Sequence, residues 1–276
     1  MTLERDRYER DGYLVLPNFV SQEDCDRVRT RAAHLVREFD PAGVVSIFST
    51  HEQTRTSDAY FLESGDKIRF FFEENAFHPD GFLRQPKEQS INKIGHALHD
   101  LDPVFDQFSR APAIEQLTSA MGMSAPLLLQ SMYIFKQPRI GGEVTCHQDA
   151  TFLFTEPLKL LGLWFALEDA TIENGCLWAI PGGHRGGLKH RFLRAKDGST
   201  RIEVLDQSGW AMEDLAPLEV EKGSVIVLHP LLPHLSRENR SPRSRQAYTL
   251  HIIDGSARYA ADNWLQRSPS MPLRGF

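Results

Sequence analysis

The run Leu160-Leu-Gly-Leu-Trp-Phe-Ala-Leu167 decides the fold class, because it is uncharged throughout and lies between two charged residues. It is far shorter than the roughly 18 residues of a membrane helix and is typical of a buried strand. Six further runs after Gly122 are similar in character and alternate with Gly, Pro and Asn turns: 127–135, 144–150, 176–180, 224–229, 235–236 and 247–253. Short strands separated by turn signals predict an all-β sandwich or barrel.

Helical spacing of apolar residues marks parts of the N-terminal half instead. It predicts an amphipathic helix over 22–39 that begins after Ser21, with a short strand at 13–16 before it. Further helical segments are predicted at 91–98, 104–108 and 113–121, and irregular structure with one or two strands near 67–72 is predicted between 44 and 89. We find no repeat or linker, so we expect one domain over residues 1–276, with a helical N-terminal half packed on a β-rich C-terminal half.

The composition excludes several classes of protein. Hydrophobic residues make up 41% and charged residues 25%, as in globular domains. The net charge is −6 and no basic block stands out, so neither a nucleic acid nor a membrane surface is an expected partner. No stretch is apolar enough to span a membrane, and the charged N-terminus lacks a signal-peptide pattern. Three cysteines without a Cys-x-x-Cys motif predict a reducing compartment, the cytoplasm.

His147 and Asp149 lie two positions apart in Val144-Thr-Cys-His-Gln-Asp-Ala150. On a strand, residues i and i+2 point to the same face, about 6.6 Å apart along the chain. An imidazole and a carboxylate on one face can close on a single metal ion. The same spacing in His78-Pro-Asp80 has a central proline and a following glycine, which indicates a solvated turn. The alternative for His147 is a hydrogen-bonded core histidine, and the spacing alone leaves it open.

A third metal ligand has to come from elsewhere in the chain, and His229 and His234 both lie at the far end of a later predicted strand. Two histidines and one carboxylate on one side of a metal form the facial triad of non-haem Fe(II) oxygenases. That triad leaves positions open for a co-substrate and for dioxygen. The spacing predicts such a site without choosing between the two histidines.

Arg245 would suit a dicarboxylate co-substrate. The segment from His234 to Arg245 has a turn-like centre, and folding it as a hairpin about Asn239-Arg240 predicts that its two ends share one face of a sheet. The keto-acid end of 2-oxoglutarate would then chelate iron while its far carboxylate meets the guanidinium, at about 1.5–3 kcal/mol per charge-assisted hydrogen bond. The alternative is one more solvated arginine in a basic turn.

Four blocks of the sequence resemble the phytanoyl-CoA dioxygenase family. They are Gly141-Gly-Glu-Val-Thr-Cys-His-Gln-Asp149, Glu168-Asp-Ala-Thr-Ile-Glu-Asn-Gly-Cys-Leu-Trp178, Ile180-Pro-Gly-Gly-His184 and Arg243-Ser-Arg-Gln-Ala-Tyr248. The resemblance covers nearly the whole chain. It implies a mainly β fold with flanking helices, built on a double-stranded β-helix (jelly-roll, cupin-like) core. It also implies an Fe(II)- and 2-oxoglutarate-dependent oxygenase that uses O2 to hydroxylate a C–H bond of a small-molecule substrate, with release of succinate and CO2.

The resemblance also implies roles for individual residues. His147, Asp149 and His234 match the metal ligands, and His234 is favoured because it precedes Arg245 by eleven residues, as the family's distal histidine precedes its arginine. Six residues match the co-substrate pocket: Lys93, Met132, Gln148, Trp164, Ser236 and Arg245. Without the resemblance, Met132 and Trp164 would be interpreted as core packing and Lys93 as a surface amine on a helix.

Two other functions remain open at this point. The first is a sensor or inactive relative that holds iron and 2-oxoglutarate on the same scaffold without productive turnover. The second is a cupin-like zinc or manganese protein, which has no need of Arg245 and usually has more histidine ligands.

Overall fold

Short helices and short strands alternate along the computed structural model, which describes residues 2–42, 44, 46–48 and 58–276. The helices are α1 Thr2–Asp11, α2 Gln22–Glu38, α3 Ala59–Leu62, α4 Leu98–Leu101, α5 Pro103–Ser109 and α6 Pro112–Ala120. The strands are β1 Tyr13–Leu16, β2 Ile68–Phe72, β3 Ile91–His96, β4 Pro126–Ile134, β5 Val144–His147, β6 Thr155–Glu156, β7 Leu160–Ala166, β8 Leu177–Ala179, β9 His190–Arg194, β10 Thr200–Val204, β11 Ala216–Leu218, β12 Val225–Leu228, β13 His234–Ser236, β14 Ala247–Asp254 and β15 Arg258–Tyr259. Short 3₁₀ segments lie at Lys87–Gln89, Asp149–Thr151, Gly183–Gly186 and Met212–Asp214.

Two antiparallel sheets pack against each other. The larger has seven strands in the order β1-β12-β7-β14-β4-β3-β2, and the smaller has four in the order β11-β8-β13-β5. Side chains of β7 and β12 in the larger sheet form one apolar cluster with side chains of β8 and β11 in the smaller. Two two-stranded sheets, β10-β9 and β15-β6, complete the β structure of the described residues. The prediction of a mainly β sandwich is confirmed.

Strand β7 is buried along its whole length because both of its faces are covered. Leu161, Leu163 and Phe165 point to one face and join the cluster that packs under the helices. Trp164 and Ala166 point to the other face and join the cluster between the two sheets. Successive side chains on a strand point to opposite faces, so a continuous apolar run is what a strand between two layers requires.

Helices cover the outer face of the larger sheet, as the periodicity predicted. Cys25, Val28, Ala32 and Val36 of α2 are buried in the cluster that contains Leu163. The hydroxyl of the helix-capping serine, one residue before α2, accepts a hydrogen bond from a backbone N–H of the first turn. α5 and α6 contribute further apolar side chains to this cluster. Among the described residues, no helix combines the length and the apolar character that crossing a membrane requires.

The N-terminal half is less helical than predicted. β1 pairs with β12, and β2 and β3 extend the larger sheet beyond β4, so this half adds three strands to the sheet as well as helices to its outer face. The segment 91–98 was predicted to be helical, but Ile91–His96 is the strand β3 and a helix begins only at Leu98. Buried Ile91, Ile94 and Leu98 have helical spacing, yet pairing with strands on both sides decides the structure of this segment.

The predicted hairpin between His234 and Arg245 is wrong. β13, which carries His234, pairs with β5 and β8 of the smaller sheet, whereas β14, which follows Arg245, pairs with β4 and β7 of the larger sheet. The connection therefore crosses from one sheet to the other, and Asn239 bridges to Gly141 on the way. His234 and Arg245 therefore do not face each other within one sheet.

We expect Leu250→Ala to lower the free energy of unfolding by about 2–5 kcal/mol, because the residue is fully buried under the helices and its loss leaves a cavity. Leu205 is 52% exposed, so Leu205→Ala is the matched control and is expected to change stability by no more than about 0.5 kcal/mol. Urea denaturation of both variants measures the difference. Equal losses would contradict the assignment of Leu250 to the core.

Candidate metal centre

His147 and His234 face each other across one ladder of the smaller sheet. His147 ends β5, His234 begins β13, and the two residues are paired in the antiparallel register. Their ring centroids are 4.3 Å apart. The strand predicted to continue to residue 150 ends at His147, and Asp149 begins a 3₁₀ segment. Because Gln148 keeps an extended backbone, with φ −118° and ψ 138°, Asp149 still returns to the side of His147.

Three ligand-type atoms converge here. Asp149 Oδ1 lies 3.9 Å from His147 Nε2 and 3.7 Å from His234 Nε2. One atom from each residue lies within 4.8 Å of the other two. Metal–ligand bonds of about 2.0–2.2 Å allow two ligands of one ion to be up to about 4.4 Å apart, so both measured pairs lie within reach of a common ion.

The hydrogen bonds of the two imidazoles determine which nitrogen faces the centre. His147 Nδ1 is 2.8 Å from the Thr145 carbonyl oxygen, and His234 Nδ1 is 3.0 Å from the Leu232 carbonyl oxygen. A carbonyl only accepts, so each Nδ1 carries the hydrogen and each neutral ring presents an Nε2 lone pair. Backbone carbonyls orient metal-binding histidines in this way. Two lone pairs and a carboxylate at one point repel each other unless a cation lies between them, so this donor set fits a divalent metal.

The protonation states agree with that requirement. Burial, together with the neighbouring His234, lowers the pKa of His147 to about 4, so its ring is neutral at pH 7. Burial opposes ionisation of Asp149, but the imidazoles of His251 and His234 outweigh it and hold the pKa of this carboxyl below its usual range. The neutral ring of His147 and the Asp149 carboxylate, together with the Nε2 of His234, make up the ligand set of a facial triad.

Two residues that sequence reasoning missed hold the carboxylate from the opposite sheet. His251 of β14 is buried, with Nε2 3.3 Å from Asp149 Oδ2. Gly162 of β7 is paired with His251, and a Cβ placed on it would lie 2.7 Å from the same oxygen. A glycine is needed there because the carboxylate rests on bare backbone. His251 lies at even spacing from Arg245, so the period of two along β14 was a signal that could have found it.

Arg245 lies buried beside the centre with unused hydrogen-bonding capacity. It is 1% exposed, its Nε donates to the Gly175 carbonyl at 3.0 Å, and its Cζ is 5.1 Å from the centroid of the Trp164 ring. Burial lowers the pKa of Arg245 to about 10, so it remains charged at pH 7. Its Nη1 is buried without a partner, and no described carboxylate lies within ion-pair distance. A buried guanidinium in this state suits an incoming carboxylate.

Lys93 and Met132 lie on the same inner surface of the larger sheet. Lys93 is buried on β3, with its Nζ 3.4 Å from the centroid of the Phe48 ring and 3.9 Å from Met132 Sδ. Burial lowers the pKa of Lys93 well below its usual value. The interpretation of Lys93 as a surface amine on a helix is therefore wrong. Met132 and Trp164 are both paired with Thr249, which places them in one row across the sheet.

The structure does not bring every candidate to the centre. The Gln148 side chain donates to the carbonyls of Gly187 and Leu231 at 2.8 and 2.7 Å and accepts from the Lys189 N–H at 3.0 Å, so its amide is committed away from the triad. His229, the alternative third ligand, has its ring 4.7 Å from that of His184 and accepts from the Leu231 N–H. It is not one of the three converging residues.

The profile of the phytanoyl-CoA dioxygenase (PhyH) family matches residues 8–247. The chain belongs to this family. The resemblance found in the sequence blocks is confirmed, and with it the class of the protein, a non-haem dioxygenase that depends on iron and 2-oxoglutarate.

Several relatives match over almost their whole length. The phytanoyl-CoA dioxygenase of Arabidopsis thaliana is 48% identical over 266 residues, covering 95% of this chain and 92% of the relative. Phytanoyl-CoA dioxygenase domain-containing protein 1 of Mus musculus is 45% identical over 276 residues, with 97% and 95% covered. Its homologue in Dictyostelium discoideum is 46% identical over 265 residues, with 94% covered on both sides.

Solved structures share the fold. The epimerase SnoN in complex with Fe3+, alpha ketoglutarate and nogalamycin RO superposes with a TM-score of 0.66 at 15% identity, covering 98% of this chain and 91% of that one. EctD from S. alaskensis with 2-oxoglutarate and 5-hydroxyectoine superposes with a TM-score of 0.64 at 20% identity, covering 94% and 78%. The expected cupin-like jelly roll is thereby confirmed.

Loss of a residue that only hydrogen-bonds to a metal ligand weakens metal binding by roughly 10- to 100-fold. We expect His234→Ala to weaken Co(II) binding at least as much, because it removes one of the three converging ligand atoms. His229→Ala is the matched control and should leave the affinity unchanged. Isothermal titration of metal-free protein with Co(II) measures both. Equal losses of affinity in the two variants would contradict the choice of His234.

Proposed function

We propose that this chain hydroxylates a C–H bond of a small-molecule substrate, with His147, Asp149 and His234 holding ferrous iron. The observation that carries the proposal is the convergence of two imidazole lone pairs and a carboxylate in a chain that also holds a buried guanidinium whose Nη1 has no partner. In the overall reaction, substrate, O2 and 2-oxoglutarate give hydroxylated substrate, succinate and CO2. When bound, the ferrous ion supplies the activation of dioxygen, a chemistry that no side chain provides.

Arg245 is proposed to bind the far carboxylate of 2-oxoglutarate. Its free Nη1 supports this role, because an unsatisfied buried guanidinium N–H gains a charge-assisted hydrogen bond when a carboxylate arrives. Ser236 lies two residues after His234 and is buried, so its hydroxyl is proposed as a second donor to the same carboxylate. Trp164, packed near the guanidinium, keeps water away from this end of the pocket.

Lys93, Met132 and the backbone at Gln148 are proposed to complete the co-substrate pocket. Lys93 supports this role because its buried Nζ lies among aromatic rings, and within the described residues it forms no ion pair with a carboxylate. A buried cation in apolar surroundings is stabilised by an incoming anion. Gln148 can contribute only through its main chain, because its side chain is fully hydrogen-bonded elsewhere.

We propose that residues 1–276 form a single domain in the cytoplasm. Pairing of β1 with β12 joins the N-terminal and C-terminal halves of the chain in one sheet, and Leu128 bridges to Arg274 near the C-terminus. Cys25, Cys146 and Cys176 are all unpaired thiols, which supports a reducing compartment.

We expect His147→Ala and Asp149→Ala to abolish succinate formation from 2-oxoglutarate while the fold is retained, because each removes one of the proposed ligands. His78→Ala and Asp80→Ala alter the other His-x-Asp pair, which lies on an exposed turn, and should keep full activity. The measurement is succinate release after anaerobic Fe(II) loading and exposure to O2, with a metabolite library as substrate source. Undiminished succinate in either ligand variant would end the proposal.

The same assay separates an enzyme from a sensor. Succinate release that rises with one member of the library identifies an oxygenase and its substrate. Tight binding of 2-oxoglutarate without succinate from any library member would favour the sensor or inactive relative instead.

We expect Arg245→Met to raise the KM for 2-oxoglutarate by about 10- to 100-fold, the loss of one or two charge-assisted hydrogen bonds. Arg240→Met removes a highly exposed arginine of the same connecting segment and serves as the control, with an unchanged KM. Initial rates at varied 2-oxoglutarate measure both. The role of Arg245 fails if its variant and the control have the same KM.

A further inference from the structure

Lys136 is a buried, strained residue that lies beside the proposed co-substrate end of the pocket. It follows β4, is 1% exposed, and has a positive φ of 42°. A non-glycine residue in this left-handed region costs of order 1–3 kcal/mol and persists only where the surroundings impose it. Burying an ammonium adds a desolvation cost. The strained backbone and the buried charge of Lys136 are both unfavourable, and a function for this residue would account for them.

The Lys136 ammonium donates to oxygen atoms on both sides. Its Nζ is 2.8 Å from Ser236 Oγ and 2.5 Å from the Gly142 carbonyl oxygen. No described carboxylate forms an ion pair with it, and Glu73 is connected only indirectly, because the Gly142 N–H donates to Glu73 Oε2 at 3.0 Å. The charge of Lys136 is therefore not neutralised by direct contact.

Lys136 is also joined to Arg245. The Arg245 N–H donates to the Lys136 carbonyl at 3.3 Å, and the Gly175 carbonyl accepts from Arg245 Nε at 3.0 Å. Gly175 has φ +86°, and a Cβ on it would lie 2.7 Å from Lys136 Cε. Gly175 thus fits between the two cationic side chains and allows them to pack closely.

The contact between Lys136 and Ser236 determines in which direction the Ser236 hydroxyl can donate its hydrogen. An ammonium only donates, so Ser236 Oγ must act as acceptor toward Lys136. The single hydrogen of the hydroxyl is then left for another acceptor. Burial and nearby Arg245 lower the pKa of Lys136 to about 7, while Glu73, Glu143 and Glu238 favour its charged form.

We propose that Lys136 is a positioning residue for 2-oxoglutarate: by donating to Ser236 Oγ it turns the Ser236 hydroxyl toward the far carboxylate bound by Arg245. This rests on the proposed function of the site. Lys136 touches neither the metal nor the reacting atoms. Lys136 therefore strengthens the binding of keto acids that have a second carboxylate and does not affect the binding of keto acids that lack one.

The test compares the binding of two keto acids to Co(II)-loaded protein by calorimetry. 2-Oxoglutarate has the far carboxylate, and 2-oxopentanoate has the same chain length without it. We expect Lys136→Met to weaken 2-oxoglutarate binding about tenfold, as for the loss of one hydrogen bond to a charged group, and to leave 2-oxopentanoate binding unchanged. The double variant with Ser236→Ala should lose no more than Lys136→Met alone, because both act on one interaction.

Lys189→Met is the matched control, since Lys189 is another buried lysine, with its Nζ 2.7 Å from Asp206 and in contact with Ser208. It should change neither affinity. Equal weakening of both keto acids in Lys136→Met would indicate a merely structural role and overturn the proposal. So would an undiminished preference for 2-oxoglutarate.

A wild-type protein without any preference between the two keto acids would instead refute the proposed function, and the role of Lys136 would fall with it. A crystal structure of the Co(II)-loaded wild type with 2-oxoglutarate tests the proposal without any variant. Ser236 Oγ should lie within hydrogen-bond distance of both Lys136 Nζ and the far carboxylate. A carboxylate that contacts Arg245 but not Ser236 would overturn the proposal.

Discussion

The pairing of His147 with His234 across β5 and β13 is the constraint on which the rest of the centre depends. It brings two imidazole rings within 4.3 Å, and the backbone carbonyl bonded to each Nδ1 leaves both Nε2 lone pairs pointing at one carboxylate oxygen. Three electron-rich atoms in a buried position are unfavourable by themselves. The surrounding layers therefore hold an arrangement that becomes favourable only when a cation is bound.

The two sheets of the sandwich contribute different residues to the site. The smaller sheet and the 3₁₀ segment after β5 carry the three converging side chains, and the larger sheet contributes His251, Trp164 and Met132. Arg245 and Lys136 lie next to each other, and no described acidic side chain forms an ion pair with Arg245. A ligand with a chelating end and a distant carboxylate matches this distribution of charge, which is why the fold and the co-substrate suit each other.

Sequence alone predicted the parts that depend on short-range spacing. Short apolar runs between turn residues predicted the strands, the period of two placed His147 and Asp149 on one side, and helical spacing predicted α2, α5 and α6. Sequence analysis failed where pairing with distant parts of the chain determines the structure. Ile91–His96 is a strand because it pairs with a strand on each side, and the chain from His234 to Arg245 crosses from one sheet to the other. Lys136 gave no signal, because its position depends on a loop conformation that only the folded chain defines.

Gly162 lies behind the Asp149 carboxylate, and a Cβ at this position would come within 2.7 Å of Oδ2. Any other residue would therefore displace the carboxylate relative to the two imidazoles. Because Gly162 is paired with His251, whose Nε2 lies 3.3 Å from the same oxygen, such a shift would also disturb that contact. The spacing of the three converging side chains thus depends in part on a residue of the opposite sheet that has no side chain of its own.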